Sequence, residues 1–104
     1  MCGILAVFTP HLLEQNSLQK TAELLSHRGP DGAGIRKIRS KNNYIYFLHK
    51  RLSILDLSDK GLQPMEDSDS GCVIIYNGEL YNYKEIRKVL LESSFSFKTQ
   101  TDTE

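Results

Sequence analysis

Met1-Cys2-Gly3-Ile4-Leu5-Ala6-Val7-Phe8 is the stretch on which the reading of this chain turns. Residues 2–8 form a short apolar run, which predicts a buried strand starting at the terminus itself. Thr9-Pro10 then punctuates the chain. A cysteine directly after the initiator is small enough for Met1 to be cleaved from it, and cleavage would leave a thiol and a free α-amine on one residue. Those two groups titrate within roughly one unit of each other in water, so the amine can take the thiol proton near neutral pH without a histidine. Alone, such a start is more often just a small apolar side chain opening a strand. The rest of the chain decides between the two readings.

Outward from that strand, Leu18, Ala22 and Leu25 fall at helical spacing and Leu24 widens the stripe, which predicts a helix over residues 12–26. His27-Arg28-Gly29-Pro30-Asp31-Gly32-Ala33-Gly34 is too rich in glycine and proline for a helix or a central strand, and reads as a shaped loop. Residues 43–48 read as a strand, and Leu52-Ser53-Ile54-Leu55 as a second short extended piece after a bend. Residues 56–71 are polar and read as a connection. Cys72-Val73-Ile74-Ile75-Tyr76 has the continuous apolar character of a strand buried on both faces, with Cys72 as a small hydrophobe inside it. A helix is expected from an Asn82 cap to Glu92, with Glu85 completing a capping box and Ile86, Val89 and Leu90 as the buried stripe. Phe95, Phe97 and Thr99 alternate with Ser96 and Lys98 as in a one-sided strand. Thr101-Asp102-Thr103-Glu104 has capping-box spacing with no helix after it, so the sequence is expected to stop in mid-domain. Strands and helices in this order predict an α+β or layered α/β sheet fold.

The chain has 104 residues, with 13 basic and 13 acidic side chains and zero formal charge. No global field draws it to nucleic acid or an anionic membrane, so ligand recognition must be local. No apolar run approaches the ~20 residues of a membrane span, and residues 3–8 are too short for a signal peptide. A cytoplasmic location with two free thiols is expected, because structural disulfides belong mostly to secreted proteins. His11, His27 and His49 match no zinc spacing and are expected to be structural, so no metal site is assigned.

Several motifs in order carry a resemblance. The Cys-Gly-Ile start, His27-Arg28-Gly29-Pro30-Asp31-Gly32, His49-Lys50-Arg51-Leu52-Ser53-Ile54-Leu55-Asp56-Leu57-Ser58, Gln63-Pro64-Met65, Asn77-Gly78-Glu79-Leu80-Tyr81-Asn82-Tyr83 and the closing Thr-x-Thr-Asp-Thr-Glu together resemble the glutaminase domain of glutamine-dependent asparagine synthetases. That domain is a class II amidotransferase, within the N-terminal nucleophile hydrolases. Related branches that make glucosamine phosphate or phosphoribosylamine usually lack Pro-Asp after the Arg-Gly and Glu after the Asn-Gly, so Pro30-Asp31 and Glu79 favour the asparagine-synthetase branch. The resemblance implies an αββα layered sandwich of which residues 1–104 form only the N-terminal part, with the ATP-dependent synthetase domain outside the segment. The segment alone is then expected to be inactive or poorly folded.

The resemblance also assigns roles. Cys2 is the nucleophile, and the Asn77 side-chain amide and the Gly78 N–H form the oxyanion hole, Gly78 because a missing Cβ lets the backbone approach a ligand. Arg51 holds the α-carboxylate of glutamine through two parallel hydrogen bonds. The backbone of Leu52, Ser53, Ile54 and Leu55 lines the pocket, and Glu79 and Asp102 take the α-ammonium. The loop at residues 28–34 shapes the pocket or covers it. The implied partners are L-glutamine, the synthetase domain of the same parent and a second copy in a homodimer. ATP and Mg2+ are implied for the synthetase domain and none for this segment, which has no phosphate-binding glycine loop. Two other readings compete: an amidotransferase for another acceptor such as a cell-surface sugar acid, and a non-catalytic docking domain. The second predicts loss of nucleophile, oxyanion donor or arginine, and all three are present.

Overall fold

A computed structural model describes residues 1–104 as a mixed α and β structure with antiparallel sheets. In chain order it has β1 (Gly3–Thr9), α1 (Gln15–Leu24), β2 (Gly32–Ser40), β3 (Asn43–Arg51), a 3-10 turn (Asp59–Gly61), β4 (Met65–Glu66), β5 (Val73–Ile74) and α2 (Tyr83–Glu92). No helix is long and apolar enough to cross a membrane.

β3 is the centre of a three-stranded sheet ordered β1-β3-β2. Its aromatic and β-branched residues suit that place, since both of its edges are paired. The register runs from Gly3 opposite Lys50 to Thr9 opposite Tyr44 on one side, and from Gly32 opposite Arg51 to Ser40 opposite Asn43 on the other. Alternation then sends Tyr44, Tyr46 and Leu48 to one face. There they meet Leu5, Val7 and Ile35 from the outer strands and Leu13, Leu18 and Ala22 from α1 and its approach. Tyr46 is wholly buried, and its hydroxyl accepts the Leu13 N–H at 2.9 Å, so the ring is buried without an orphaned polar group.

The opposite face carries His49 and Arg51. Segment 61–66 crosses it: a Cβ on Gly34 would strike the Gln63 carbonyl, and Arg36 pairs with Glu66 at 2.6 Å. Beyond lies the small β4–β5 hairpin, Met65 opposite Ile74 and Glu66 opposite Val73. Its turn is held by the Asp67 carboxylate, which accepts from the Ser70 hydroxyl and from the Ser70 and Asp69 amides and is held below the usual carboxylate range by those bonds.

Several expectations need correction. The glycines at 32 and 34 open β2 and do not extend the preceding loop; an edge strand tolerates them where another segment crosses closely. β1 is an edge strand covered on one face, leaving Ile4 and Phe8 42% and 69% exposed. α1 is shorter than expected because Glu14 is extended, and Leu24 faces outward. The run at 72–76 is strand only at Val73–Ile74, with Cys72 exposed, because its sole partner is the two-residue β4. Asn82 does occupy the cap position of α2, but its side chain makes no capping bond, and the Ile86 and Val89 stripe is exposed because nothing within the chain packs over it. Residues 95–99 form no strand: Phe97 lies under the Arg87 guanidinium, 4.3 Å from the ring centre, and the backbone finds no ladder partner. Glu104 does not close a capping box on Thr101. Its carboxylate accepts from the Lys98 and Thr99 amides and the Thr99 hydroxyl, which together hold it below its ordinary value although burial alone would raise it.

Candidate active site

The antiparallel register that pairs Gly3 with Lys50 brings Cys2 alongside the end of β3, on the face that carries Arg51 and His49. Cys2 is half-buried, and its sulfur is fixed by main chain: the Leu52 N–H donates to Sγ at 3.3 Å, and the Leu52 carbonyl lies 3.7 Å away as acceptor for the thiol proton. The Arg28 Nε–H holds the Cys2 carbonyl at 3.0 Å. The Asp31 amide bonds the Arg51 carbonyl at 2.9 Å, and its carboxylate accepts the Ser53 amide at 2.8 Å. The loop read from sequence as shaping or covering a pocket thus braces the main chain around both Cys2 and Arg51.

Arg51 is 6% exposed. Nη1 donates to the Ser58 carbonyl at 2.7 Å, and Nη2 donates to the carbonyls of Leu55, at 3.0 Å, and Asp56. Asp56 turns its carbonyl toward the guanidinium by taking a left-handed φ of 52°, which aspartate tolerates. Its carboxylate faces the other way, accepting from Ser58 and the Gln100 amide, and those bonds hold it below the usual range. Gly61 closes the ring, since any side chain there would enter the guanidinium. Both two-pronged edges of a guanidinium include an Nη2 hydrogen, and here both point at carbonyls. Arg51 therefore keeps an Nε–H and one Nη1 N–H that no atom of the chain accepts.

A cavity of about 350 Å³ opens in front of these residues. It is lined by Met1, Cys2, Arg51, Leu52, Ile54, Leu55, Gly61, Gln63, the segment 76–79, Tyr81 and the segment 101–103. Of the residues picked out from sequence, it gathers Cys2, Arg51, Leu52, Ile54, Leu55, Asn77, Gly78, Glu79 and Asp102, and leaves out Ser53. Neither the Asn77 side chain nor the Gly78 N–H is hydrogen-bonded within the chain. The space where a Cβ of Gly78 would stand is taken by the Tyr76 phenol, so that glycine makes room for a ring. Asp102 Oδ2 accepts the Leu80 amide at 2.8 Å, which ties the last lining segment to the one that follows Gly78.

His49 is wholly buried beside the site with neither ring nitrogen hydrogen-bonded. Burial holds its imidazole below the ordinary value; the neighbouring Tyr76 main chain opposes that shift and the Arg51 charge adds to it. His27 bonds the Leu24 carbonyl through Nδ1 at 2.9 Å, and His11 is exposed on a different part of the surface. Sequence reasoning gave no individual role to Arg28, Asp31, Gln63, Tyr76 or Thr103. Their motifs were visible, but their partners lie far away along the chain, and no local pattern names them.

A family model described as a glutamine amidotransferase domain matches residues 1–104. Similar proteins include asparagine synthetase [glutamine-hydrolyzing] 1 of Bacillus subtilis, 37% identical over all of this chain and 16% of its own length. The asparagine synthetase [glutamine-hydrolyzing] of Brassica oleracea is 40% identical over 98% of this chain and 17% of its own. Amidase chry2 of Gibberella zeae is 40% identical over 84% of this chain and 12% of its own. The chain spans about a sixth of the length of the synthetases it matches. With a family match over every residue and a cysteine, an arginine and an Asn-Gly turn facing one cavity, the chain belongs to the glutamine amidotransferase domain family.

Proposed function

We propose that this segment hydrolyses the side-chain amide of glutamine and that the ammonia released serves an ATP-dependent conversion of aspartate to asparagine elsewhere in the complete protein. One observation carries the reading: Cys2, Arg51, Asn77, Gly78 and Asp102 line a single cavity of about 350 Å³, within the range that suits a small molecule. Removal of Met1, which is 76% exposed and lines the same cavity, frees the Cys2 amine beside its own thiol. The Arg28 bond to the Cys2 carbonyl keeps the new terminus in place.

In this mechanism the amine accepts the thiol proton and Sγ attacks the amide carbon of glutamine. Asn77 and Gly78 donate to the oxyanion of the tetrahedral intermediate. The amine returns the proton to the leaving nitrogen, ammonia departs, and a γ-glutamyl thioester remains. Water, activated by the same amine, releases glutamate and restores the thiol. One of the remaining N–H groups of Arg51 takes the α-carboxylate, while Glu79 and Asp102 face the α-ammonium. The aspartate-activating step needs ATP and Mg2+. Both belong to the synthetase part in this reading, and no step here runs through them. The setting is the cytoplasm, where Cys2 and Cys72 stay reduced. The relative named as an amidase, alike over 84% of the chain, favours one second reading, in which the same glutaminase feeds a different acceptor.

The test is intact mass of the complete protein after treatment with a glutamine-analogue diazoketone. The expected product lacks Met1 and carries one adduct on Cys2, absent from Cys2→Ala. An active protein that retains Met1, or an adduct elsewhere, overturns the mechanism. Asparagine formed from aspartate, ATP and glutamine separates the two acceptor readings.

A further inference from the structure

Gln63 is 6% exposed, and both ends of its carboxamide are used. Oε1 accepts the Tyr76 N–H at 2.6 Å, and Nε2 donates to the Thr103 hydroxyl at 3.0 Å. Tyr76 is the residue before Asn77-Gly78. Thr103 follows Asp102, whose carboxylate holds the Leu80 amide at 2.8 Å. The bonds therefore close a ring: Gln63 to Tyr76, along the chain to Leu80, across to Asp102, and back through Thr103. Gln63's own main chain is fixed from behind, because its carbonyl lies where Gly34 of β2 has no side chain. The ring joins two segments that no backbone ladder connects.

We propose that Gln63 is the positioning residue that sets the oxyanion donors at 77–78 and the carboxylate of Asp102 at a fixed separation across the cavity. The inference rests on the glutaminase reading of that cavity. Only a primary amide satisfies both neighbours as they stand, accepting from a main-chain N–H and donating to a hydroxyl. A glutamate keeps the first bond, and the Thr103 hydroxyl can rotate to donate to it, but it places a buried carboxylate near the half-buried Asp102. A methionine fills similar volume and makes neither bond. Displacement of a donor by about 1 Å costs up to ~10²-fold in rate, so a slack ring shows in the kinetics before it shows in the fold.

The experiment measures glutaminase kcat and KM of the complete protein, per site titrated with the diazoketone, for wild type, Gln63→Met, Gln63→Glu and Thr103→Val. Titration counts only folded, competent sites. Gln63→Met is expected to lower kcat and raise KM for glutamine, each on the order of tenfold or more. Thr103→Val frees only the Asp102 arm and should raise KM while kcat stays within about threefold. Gln63→Glu should recover most of kcat relative to Gln63→Met, because the Tyr76 bond survives. Wild-type kcat and KM per titrated site in all three variants would make Gln63 a space-filling residue and overturn the inference. If Gln63→Met yields no titratable site, Thr103→Val and Gln63→Glu decide by the same criteria. A wild-type protein that neither hydrolyses glutamine nor takes the adduct refutes the glutaminase reading itself.

Discussion

Arg51→Lys separates the clasp that this side chain makes in the structure from the carboxylate binding proposed for it. The guanidinium closes the segment 55–61 by donating to three carbonyls, those of Leu55, Asp56 and Ser58. A hydrogen bond from a charged donor is worth about 1.5–3 kcal/mol net. Lysine keeps the charge, but its donors radiate from one atom and cannot reach carbonyls spread over four residues of chain. If one bond survives and the other two are lost, the sum is about 3–6 kcal/mol; because the bonds share a donor group and are not independent, about 2–4 kcal/mol is the expected cost. With Arg51 only 6% exposed, solvent does little to soften that figure.

Hydrogen exchange of the complete protein reads this cost locally. The Gly61 and Leu62 amides, bonded to Ser58 and Asp59 at 3.3 and 3.0 Å, report opening of the segment. At about 1.4 kcal/mol per tenfold, their protection should fall roughly 30- to 1000-fold, while the Leu48 amide in the sheet keeps its protection. Separately, KM for glutamine should rise by roughly tenfold or more, since the ammonium cannot reproduce the fixed direction of the guanidinium N–H that meets the carboxylate. Unchanged exchange at 61 and 62 would show that the carbonyls do not depend on Arg51, and would refute the clasp even if KM rose. Unchanged KM would remove Arg51 from carboxylate binding.

Asn77→Ala should cost on the order of 10²-fold or more in glutaminase kcat if its amide donates to the oxyanion, and a near-normal rate in the steady-state assay would reduce it to a turn residue. Gly34→Ala should destabilise the protein by about 1–3 kcal/mol in equilibrium denaturation, because the new methyl meets the Gln63 carbonyl, which belongs to main chain that yields only by moving the hairpin. His49 sets an acid limit whose sign follows from its depressed folded-state pKa: the unfolded chain binds the extra proton first, so stability is complete above about pH 6.5 and is lost as pH falls below it. The carboxylates of Asp56, Asp67 and Glu104, also depressed, lose their contributions only below about pH 4.5, so unfolding midpoints between pH 5 and 7 isolate the histidine, and His49→Leu should flatten them there.

How much of this was legible in the sequence depends on whether the determining contact is local. β3 and both helices announce themselves because aromatic density or a 3.6-residue stripe lies within the element. β2 does not, because Ile35 and Ile38 are three apart and the strand opens on glycines. Its existence is dictated by pairing with β3, and its glycines by a segment some thirty positions away that crosses at Gln63. The reverse error occurs at residues 95–99, where alternation is present and a partner strand is absent. A period of two is necessary for a one-sided strand but does not supply the neighbour that makes it one.

The site divides along the same line. The resemblance of ordered motifs put Cys2, Arg51 and Asn77-Gly78 forward, and their chemistry fits the proposed roles: a thiol on a terminal residue, a planar cation and a pair of free N–H donors. It did not say how Arg51 is oriented, and orientation changes its role: with both Nη2 hydrogens on carbonyls, the side chain is an element of the pocket wall before it is a ligand for anything. Nor did residue type distinguish Gln63 from an ordinary polar residue before a proline, since its meaning lies in Tyr76 and Thr103, 13 and 40 positions away. The residues proposed to react are therefore reached through an ordered set of motifs, whereas the residues that brace them become readable only once the chain has closed on itself. Arg28, Asp31 and Gln63 are of the second kind: each spends its side chain on main chain or hydroxyl far away in sequence, and each sits within two residues of a glycine or proline that lets the loops cross.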